Sequence, residues 1–559
     1  MKPDYPITRI EQYLDKITGG ERVKPEYPIT RIEQYLDEIV EHGGGGGVDP
    51  DDVAEIIADF MLKGARYGVS GVGQEASALT RIWDAVGMTA EVGTDGDNSA
   101  VVNDFDIAYP FMRRKCVGNW TLSDDGKRGV FNVRAYYGDP DYAEDGSKGD
   151  YVAVECPLCY YYFQDGILAV SGYPYEGYRP FDIFCRNHDP EDLIDKYYLP
   201  AYALALKDGH AVSLPGYDNE QNHYQGLTNA CRTYGDGTGV AALAHLQPMA
   251  VNFYEWALMT VEFAQQNIQN VMQGCCNLRS ADADKCTFLD ETHVVATGQY
   301  LASRVAGEYI AITTSTSHVA VNYKATHRIV SNQRCDSDGT VNASGSCNLI
   351  EVEDLGKEYF TYDTETEYQI AGRPYRSEAC GGVSTPSGSP TNNNSGYYPC
   401  RYRWRENPYS NQLKTVADLF NRRLGTGDSD YYLSWYYLLD PSTYTPTTSS
   451  KPDAADLATD KFVELDVVTE HANYVSGYIK SKKYSEDYPD IWIPYETTGG
   501  GASVYFADYA YLVLSPDLRA VRLGGTWYHG TNAGPSTVAA FHAPSYGHAY
   551  YGGDLCFPQ

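Results

Sequence analysis

The sequence predicts an α+β protein that is rich in strands and contains one long helix. Beyond about residue 100 the pattern is β-like, and DYVAVECPLCYYYF at 150–163 is the clearest strand. The segment PMAVNFYEWALMTVEFAQQNIQNVMQG at 248–274 begins with proline, ends with glycine and repeats apolar residues every three or four positions, which predicts a helix. Because Trp256 and Phe263 add a second apolar face, we expect this helix to be largely buried.

A duplicated segment occupies the amino end. KPDYPITRIEQYLDKI at 2–17 returns as KPEYPITRIEQYLDEI at 24–39, and each copy reads as a short helix with a Thr-x-x-Glu capping box and one apolar stripe. Such short helices are unstable alone. We therefore expect residues 1–47, which end in the flexible GGGGG, to dock on a partner; the alternative is a pair of solvated, half-formed helices. Residues 48–100 are expected to form a helical and glycine-rich connector to a domain over 101–559.

Charge and hydropathy restrict the classes of partner. The chain of 559 residues carries 43 basic and 75 acidic residues, a net charge of −32. This balance argues against nucleic acid and anionic membrane as partners. No stretch approaches the roughly 18 apolar residues of a spanning helix, and the start has no signal-peptide pattern. We expect no membrane insertion and assembly in the cytoplasm.

Turn-rich sequence at 330–400 is expected to be a surface insertion within the 101–559 domain. It contains Cys335, Cys347, Cys380 and Cys400, and the sequence leaves open whether these four cysteines pair. The chain has 13 cysteines, which is a low density for a disulfide scaffold.

Two further patterns raise the question of bound metal. Cys156 and Cys159 could form a metal clip or redox pair, but no second CxxC with zinc spacing follows, so two structural strand cysteines are favoured. The acidic clusters TDGDNS at 94–99 and CDSDGT at 335–340 could hold a structural Ca²⁺, although neither completes a recognised loop, and solvated turns are favoured. We expect no cofactor and no metal site.

The last segment, RLGGTWYHGTNAGPSTVAAFHAPSYGHAYYGGDLCF at 522–557, has an unusual composition. From Tyr528 to Pro558 it contains no Lys, Glu, Gln, Met or Trp, and it places Tyr, His, Asn, Ser and Phe between glycines and alanines. Rigid aromatic residues mixed with small polar ones are typical of surfaces that contact variable partners.

Several stretches resemble one family: EWALMTVEFAQQNIQNVMQG, ASALTRIWDA at 76–85, NDFDIAYPF at 103–111, VAVECPLCYYY, and the terminal LGGTWYHG to GGDLCF. They are similar to the variable proteins of diversity-generating retroelements, and more closely to those of tailed phages of gut bacteria. The duplicated leader resembles the amino ends of such phage structural proteins. The resemblance covers about half of the chain in patches.

The resemblance implies a C-type-lectin-like fold, which is also the fold of formylglycine-generating enzymes. The last segment of such a domain displays mutagenised positions and binds bacterial surface receptors. In these systems template adenines are randomised, so an AAY codon becomes NNY, which never encodes Lys, Glu, Gln, Met or Trp. All five of these residue types are absent from residues 528–558.

The family pattern separates a framework from diversified positions. The framework residues in this sequence are Gly524, Gly525, Trp527, Gly530, Ala543, Pro544 and Gly552. The diversified, receptor-binding positions are Thr526, Tyr528, His529, Asn532, Ser536, Phe541, His542, Tyr546, Gly547, His548 and Tyr550. We expect the second group to point outward.

The expected function is that of a virion receptor-binding protein, an adhesin on the tail or capsid surface. Its expected partners are a bacterial surface receptor, other virion proteins through residues 1–47, and further copies of itself, with a trimer as the expected oligomer. The alternatives are an oxidase of the formylglycine-generating type and a cellular glycan-binding lectin. The oxidases use a cysteine pair near the end of the domain, whereas the last 150 residues here contain only Cys556. We therefore expect no enzyme activity.

Overall fold

The computed structural model describes residues 62–93, 102–235, 237, 239–277, 284–297, 306–313, 326–353, 364–377, 388–392, 396, 399–425, 431–446, 452–470, 476–548 and 550–559. Within it, Ala65–Gln559 forms one compact unit. The docking leader at 1–47, the first part of the expected connector at 48–61, and the acidic cluster at 94–99 lie outside the described residues.

The first part of this unit contains two larger antiparallel sheets, a two-stranded sheet that pairs Ala205–Lys207 with His210–Val212, and the two α-helices of the described chain. A five-stranded sheet has the order β2-β1-β7-β6-β8 and a four-stranded sheet the order β4-β3-β5-β9. The elements are β1 (Arg66–Ser70), β2 (Thr80–Trp83), β3 (Arg114–Leu122), β4 (Gly129–Tyr136), β5 (Tyr151–Pro157), β6 (Tyr160–Gln164), β7 (Ile167–Ser171), β8 (Arg179–Pro180), β9 (Lys196–Pro200), β10 (Ala205–Lys207), β11 (His210–Val212), α1 (Tyr224–Cys231), β12 (His245–Leu246) and α2 (Met249–Phe263).

The strand predicted at 150–163 is present as two strands that belong to different sheets. β5 lies in the four-stranded sheet, and β6 lies in the five-stranded sheet. The chain changes sheets at Leu158 and Cys159, directly after Pro157, which has no N–H to continue the ladder. Cys156 and Cys159 are both buried free thiols in the main hydrophobic core.

Helix α2 is buried along its whole length, as predicted, but it is shorter than predicted. At its start the backbone N–H of Met249 donates to both carboxylate oxygens of Asp418 at 3.0 Å, which caps the helix. At its end Ala264 takes a left-handed conformation with φ 50° and ψ 46°. The prediction of a helix up to residue 274 is therefore wrong.

Tertiary hydrogen bonds explain why the helix stops at Phe263. The N–H of Leu79 donates to the carbonyl of Ala264, and the N–H of Gln266 donates to the carbonyl of Ser77, both at 2.8 Å. The side chain of Gln266 also accepts from the N–H of Gly73 at 2.6 Å. Residues after Phe263 thus pair with the chain before β2, and this pairing outweighs their helix propensity.

A closed six-stranded barrel follows, with the order β13-β14-β17-β16-β15-β18. Its strands are β13 (Asp284–Phe288), β14 (His293–Thr297), β15 (Tyr309–Thr313), β16 (Thr326–Cys335), β17 (Cys347–Glu353) and β18 (Tyr368–Arg373). Alternate apolar side chains fill the interior, including Phe288, Ile310 and Ile350. The insertion expected at 330–400 contains the end of β16 and all of β17 and β18, so the barrel begins well before it.

The remaining strands build an eight-stranded sheet and three small pieces. The sheet has the order β24-β23-β22-β29-β30-β28-β25, with β31 added beside β22. The strands are β19 (Thr391–Asn392), β20 (Cys400–Tyr402), β21 (Arg405–Glu406), β22 (Leu413–Leu424), β23 (Tyr432–Leu438), β24 (Phe462–Glu470), β25 (Gly477–Tyr478), β26 (Ser481–Tyr484), β27 (Trp492–Glu496), β28 (Tyr509–Leu512), β29 (Arg519–Leu523), β30 (Val538–Ala540), β31 (Tyr551–Gly552) and β32 (Leu555–Cys556).

The chain end closes onto the beginning of the unit. β32 pairs with β12, and Phe557 stacks on Trp120 with ring centroids 4.7 Å apart. Helix α2 shares one hydrophobic core with residues of β22, β29 and β30. The terminal segment is therefore part of the same folded unit as the helix.

The protein is rich in β-sheet, with two α-helices in the described part of the chain. Neither of them is long and apolar enough to cross a membrane. The expected α+β class agrees with this architecture at the level of a sheet-rich protein.

The four cysteines of the 330–400 segment lie in different places. Cys335 and Cys347 are free thiols that face each other directly across β16 and β17. Cys400 is a buried free thiol in the main core, and Cys380 lies outside the described residues. In the turn between β16 and β17, the backbone N–H of Thr340 donates to Asp338 at 2.9 Å, and the side chain of Asn342 donates to Asp336 at 3.0 Å.

Candidate functional site

The candidate site is built by the terminal segment as it leaves the eight-stranded sheet. After β29 the chain turns at two glycines, forms a short 3₁₀ turn at Gly530–Asn532, and returns as β30. A loop over residues 541–550 then leads to β31. Two loops are thus held by strands of one sheet.

Two glycines and a tryptophan fix the first turn. Gly524 and Gly525 have φ of +92° and +79°, which disfavour any residue with a side chain. A Cβ on Gly525 would lie 2.6 Å from the Cβ of Ala533. Trp527 is 1% exposed and packs in a cluster with Cys275, Tyr309 and Tyr375. The residues assigned to the framework here are therefore tightly constrained.

The eleven positions predicted to bind a receptor fall into two groups by burial. Eight of them are exposed or half-exposed: Tyr528, His529, Asn532, Phe541, His542, Tyr546, Gly547 and Tyr550. The other three are buried: Thr526 and Ser536 at 0% exposure and His548 at 8%. The expectation that all eleven side chains point outward is wrong for these three.

The aromatic side chains of the exposed and half-exposed group, together with Tyr511 and the buried His548, form one continuous arrangement, which we call the aromatic circuit. Consecutive ring centroids are 3.4 to 6.2 Å apart, and the last ring returns to the first. The order around the circuit is Tyr528, His529, Tyr511, Phe541, His542, Tyr546, His548 and Tyr550. Side chains from two loops and from strand β28 thus form a single aromatic patch.

Tyr511 belongs to this patch although the sequence did not single it out. It lies on β28, outside the terminal segment, and contacts His529 at 4.8 Å and Phe541 at 6.0 Å between ring centroids. The signal in the sequence is the alternation of tyrosines in DYAYL, which places Tyr509 and Tyr511 on one face of a strand.

Asn532 is half-exposed, but its side chain is held by hydrogen bonds to two tyrosines. Its side-chain oxygen accepts from the hydroxyl of Tyr478 at 2.6 Å, and its side-chain nitrogen donates to the hydroxyl of Tyr511 at 2.8 Å. Both polar groups of this amide are therefore engaged inside the protein.

Ser536 is fixed by a lysine in an aromatic cage. The ammonium of Lys482 donates to the hydroxyl of Ser536 at 2.6 Å. It also lies 4.0 to 4.4 Å from the ring centroids of Trp256, Trp492 and Phe506. Burial lowers the pKa of Lys482 well below its ordinary value. Ser536 is thus part of the support beneath the loop in this chain.

The carboxylate of Asp508 completes the support at this loop. It accepts the backbone N–H of Ser536 at 2.7 Å, and burial raises the pKa of Asp508 to about 7. A Cβ on Gly534 would lie 1.7 Å from this carboxylate. The backbone before β30 therefore has little freedom.

Buried ion pairs join the end of the tail to helix α2. Asp554 binds Arg405 and also Lys414, the latter at 2.7 Å. Arg405 in turn binds Glu255 on the helix. All four side chains are nearly or fully buried, so removal of one partner would leave a charge without compensation.

Two histidines of the aromatic circuit, His529 and His542, are neutral at neutral pH. Burial lowers the pKa of His529 to about 4. Burial, together with the charges of Arg522 and Arg519, lowers the pKa of His542 to about 4. These rings therefore offer one donor and one acceptor each, without charge.

Across the described residues, no group of three or more His, Cys, Asp and Glu side chains is placed to hold a metal ion. Comparison with known proteins adds no further evidence: no protein-family model matches the chain, and no curated protein is significantly similar to it.

Proposed function

We propose that this protein is a receptor-binding protein of a phage virion. Its sheet-rich domain would be a variant of the C-type-lectin fold, and a retroelement would diversify its terminal segment. The exposed and half-exposed positions of that segment, from Tyr528 to Tyr550, would contact receptors on the bacterial surface.

The aromatic circuit is the observation that carries this proposal. Tyrosine and phenylalanine provide rigid contact area with little loss of entropy, while neutral histidines adapt their hydrogen bonds to the partner. Grouping these side chains on one patch gives a surface with the chemistry of an antibody paratope. All five residue types that NNY codons cannot encode are absent from residues 528–558, which supports diversification of the same patch.

The buried residues beneath the aromatic circuit hold its loops in place, so the exposed positions should tolerate substitution. The glycine turn at 524–525, buried Trp527 and the Asp554 ion pairs hold the loops from beneath. Substitution of exposed residues usually changes stability by less than about 0.5 kcal/mol. A retroelement could therefore vary the exposed positions at little cost to the fold.

The oxidase alternative has little support at Cys556. This thiol lies in β32 and is buried, and burial raises its pKa. A reactive cysteine needs a stabilised thiolate and access to its substrate. The raised pKa of Cys556 opposes the first requirement, and its burial opposes the second.

A pooled library tests the proposal. Phage would carry NNY codons at Tyr528, Phe541, His542, Tyr546 and Tyr550, and adsorption to a panel of host strains would be measured. We expect particles with altered host range to emerge. The matched control library varies buried Thr526 and Ser536, from which we expect mainly unstable protein. An unchanged host range in the first library would contradict the proposal.

The remaining part of the proposal concerns residues 1–47 and assembly. The leader would attach the protein to another virion component, and a trimer would multiply weak contacts into avidity. Deleting residues 1–47 should remove the protein from purified particles, detected by mass spectrometry, while the domain stays folded. Normal incorporation of the deletion variant would exclude this role. Absence of the full-length protein from particles would instead favour the cellular lectin.

A further inference from the structure

A buried arginine lies behind the aromatic circuit. Arg522 on β29 is 1% exposed, and its guanidinium sits 3.8 Å from the ring centroid of Tyr551. It donates to the backbone carbonyl of Tyr546 at 3.4 Å and to that of Ala520 at 3.3 Å. The guanidinium thus lies directly behind Tyr546, which is 42% exposed.

Arg522 differs from the other buried arginines near the tail in its partners. Arg403 binds Glu262, and Arg405 binds Glu255 and Asp554. Among the described residues, no carboxylate forms an ion pair with Arg522, and its Nε has no hydrogen-bond partner. Two long bonds to carbonyl groups are weak compensation for a desolvated charge.

The groups that face Arg522 are neutral or basic. Burial lowers the pKa of Arg522 itself, and its charge contributes to the lowered pKa values of His223 and His542. From Leu518 to the end of the chain the only acidic residue is Asp554, which is bound to Arg405 and Lys414. A local positive potential therefore lies at this patch in a protein whose net charge is −32.

We propose that Arg522 anchors an anionic group, a carboxylate or a phosphate, of an acidic polysaccharide. The planar guanidinium fork matches both groups. The half-exposed rings of Tyr528, Phe541 and Tyr550 would pack against the apolar faces of the sugar units, which favours a glycan over an acidic peptide. This inference rests on the proposed receptor-binding function and names the chemistry of the receptor.

The anion reaches Arg522 by displacing the segment around Tyr546. Ser545, Tyr546 and Gly547 are all exposed, and the carbonyl of Tyr546 is the group that the anion replaces on the guanidinium. The anion then supplies a charged acceptor in place of a distant neutral carbonyl, and the pairing of opposite charges favours the exchange.

Titration of the full-length protein tests the anchor directly. The probes are sodium glucuronate and inorganic phosphate, with methyl glucuronate ester and glucose as neutral controls, all at constant ionic strength. Binding is followed by NMR through the imidazole of His542. We expect at least one anion to bind about tenfold or more tightly than the neutral sugars, in line with the strength of a charged hydrogen bond. Whichever of the two probes binds, glucuronate or phosphate, identifies the anionic group that the site prefers. Equal affinity for glucuronate and its methyl ester, with no binding of phosphate, would overturn the anchor.

Substitutions separate the charge from the fold. Arg522→Gln should weaken anion binding about tenfold or more, whereas Arg522→Lys should retain part of it. The matched control is Arg128→Gln, which removes the same charge from an exposed pair with Asp125 in the β3–β4 turn. If Arg522→Gln fails to fold, the titrations of the wild-type protein still show whether the anion binds. Tight binding by Arg522→Gln, or tighter binding of an oligoglutamate peptide than of an oligoglucuronate of equal charge, would overturn the proposal.

Adsorption assays distinguish this inference from the proposed function. If particles adsorb through Tyr546 and Tyr550 but both anions fail to bind, the anchor is wrong and the receptor-binding function stands. If the protein binds glucuronate but particles adsorb normally after substitutions throughout the aromatic circuit, the anchor stands and the receptor-binding function is wrong.

Discussion

The terminal segment contains two populations of side chains, a buried one and a displayed one, that alternate along the same stretch of chain. Trp527 is buried while its neighbour Tyr528 is half-exposed, and Ala540 is buried while Phe541 is half-exposed. Residue type does not separate the two groups, because the small polar Ser536 is buried and the large aromatic Tyr546 is exposed. The comparison shows that position in the fold, and not chemistry, decides which residues are free to vary.

Two histidines extend this comparison to charge. Burial opposes the charge of His188, but its hydrogen bond to Asp182 raises its pKa to about 9. Burial and neighbouring arginines lower the pKa of His542 to about 4. His188, which lies outside the terminal segment, is therefore charged at neutral pH, whereas His542 of the aromatic circuit is neutral.

The largest expected effect comes from breaking the ion pairs beneath the tail. Asp554→Ala leaves Arg405 and Lys414 buried without their shared carboxylate, so we expect the free energy of unfolding to fall toward the upper end of about 3–5 kcal/mol. Urea denaturation measures this, and exposed Asp517→Ala is the matched control. A loss below about 1 kcal/mol would mean that the tail does not depend on this network.

Removing the buried ring of the framework should have the next largest effect. Trp527→Ala deletes a side chain that packs against Tyr309 and Tyr375, and we expect a loss of about 3–4 kcal/mol in unfolding free energy. Thermal unfolding of the variant, compared with that of Tyr528→Ala, gives the contrast between adjacent buried and displayed positions. Equal losses for the two variants would contradict the division of the tail.

Ser536 tests whether a position in the diversified pattern has become structural. Ser536→Ala removes the hydroxyl that accepts from Lys482, and we expect a cost of about 1–3 kcal/mol in unfolding free energy. The double variant with Lys482→Met should recover part of this loss, because the cage then holds an apolar side chain. If the single variant is as stable as the wild type, the hydroxyl of Ser536 has no structural role.

The contrast with the prediction from sequence is clearest at two places. Burial of helix α2 followed from its two apolar faces, but its end at Phe263 depends on hydrogen bonds to residues 73–79, which are remote in sequence. Burial of Ser536 depends on Lys482, which also lies far away along the chain. Local patterns cannot contain such long-range contacts.

The candidate site was predictable to the same extent. The missing residue types and the glycine turn located the tail and its framework, because both are local features. The closure of the aromatic circuit through Tyr511 and the position of Arg522 arise from strand pairing between β28, β29 and β30. This pairing joins residues that single-sequence patterns leave separate.

A smaller effect on stability is expected from a change of pH that removes the charge of His188. The folded-state pKa of His188 lies above its ordinary value of 6.5, so its contribution to stability is complete below pH 6.5 and is lost as pH rises through about 9. The advantage of the wild type over His188→Gln should therefore shrink by on the order of 1 kcal/mol between pH 6 and 9.5, after allowance for solvent screening. Denaturation curves at both pH values measure it. A growing advantage would mean that His188 is neutral in the folded protein.

The smallest effect on stability is expected at Tyr546, where the effect on binding should be largest. Its ring is 42% exposed, and its ring–ring contacts among the described residues are with His542, His548 and Tyr551. Tyr546→Ala should change the free energy of unfolding by less than about 0.5 kcal/mol. The same variant removes rigid contact area from the centre of the patch, so monomer affinity for host cells should fall before adsorption of whole particles does, because avidity masks single losses. Tyr546→Phe keeps the ring and is the control. If Tyr546→Ala unfolds the protein, or if its monomer binds host cells normally, the displayed population has been assigned to the wrong residues.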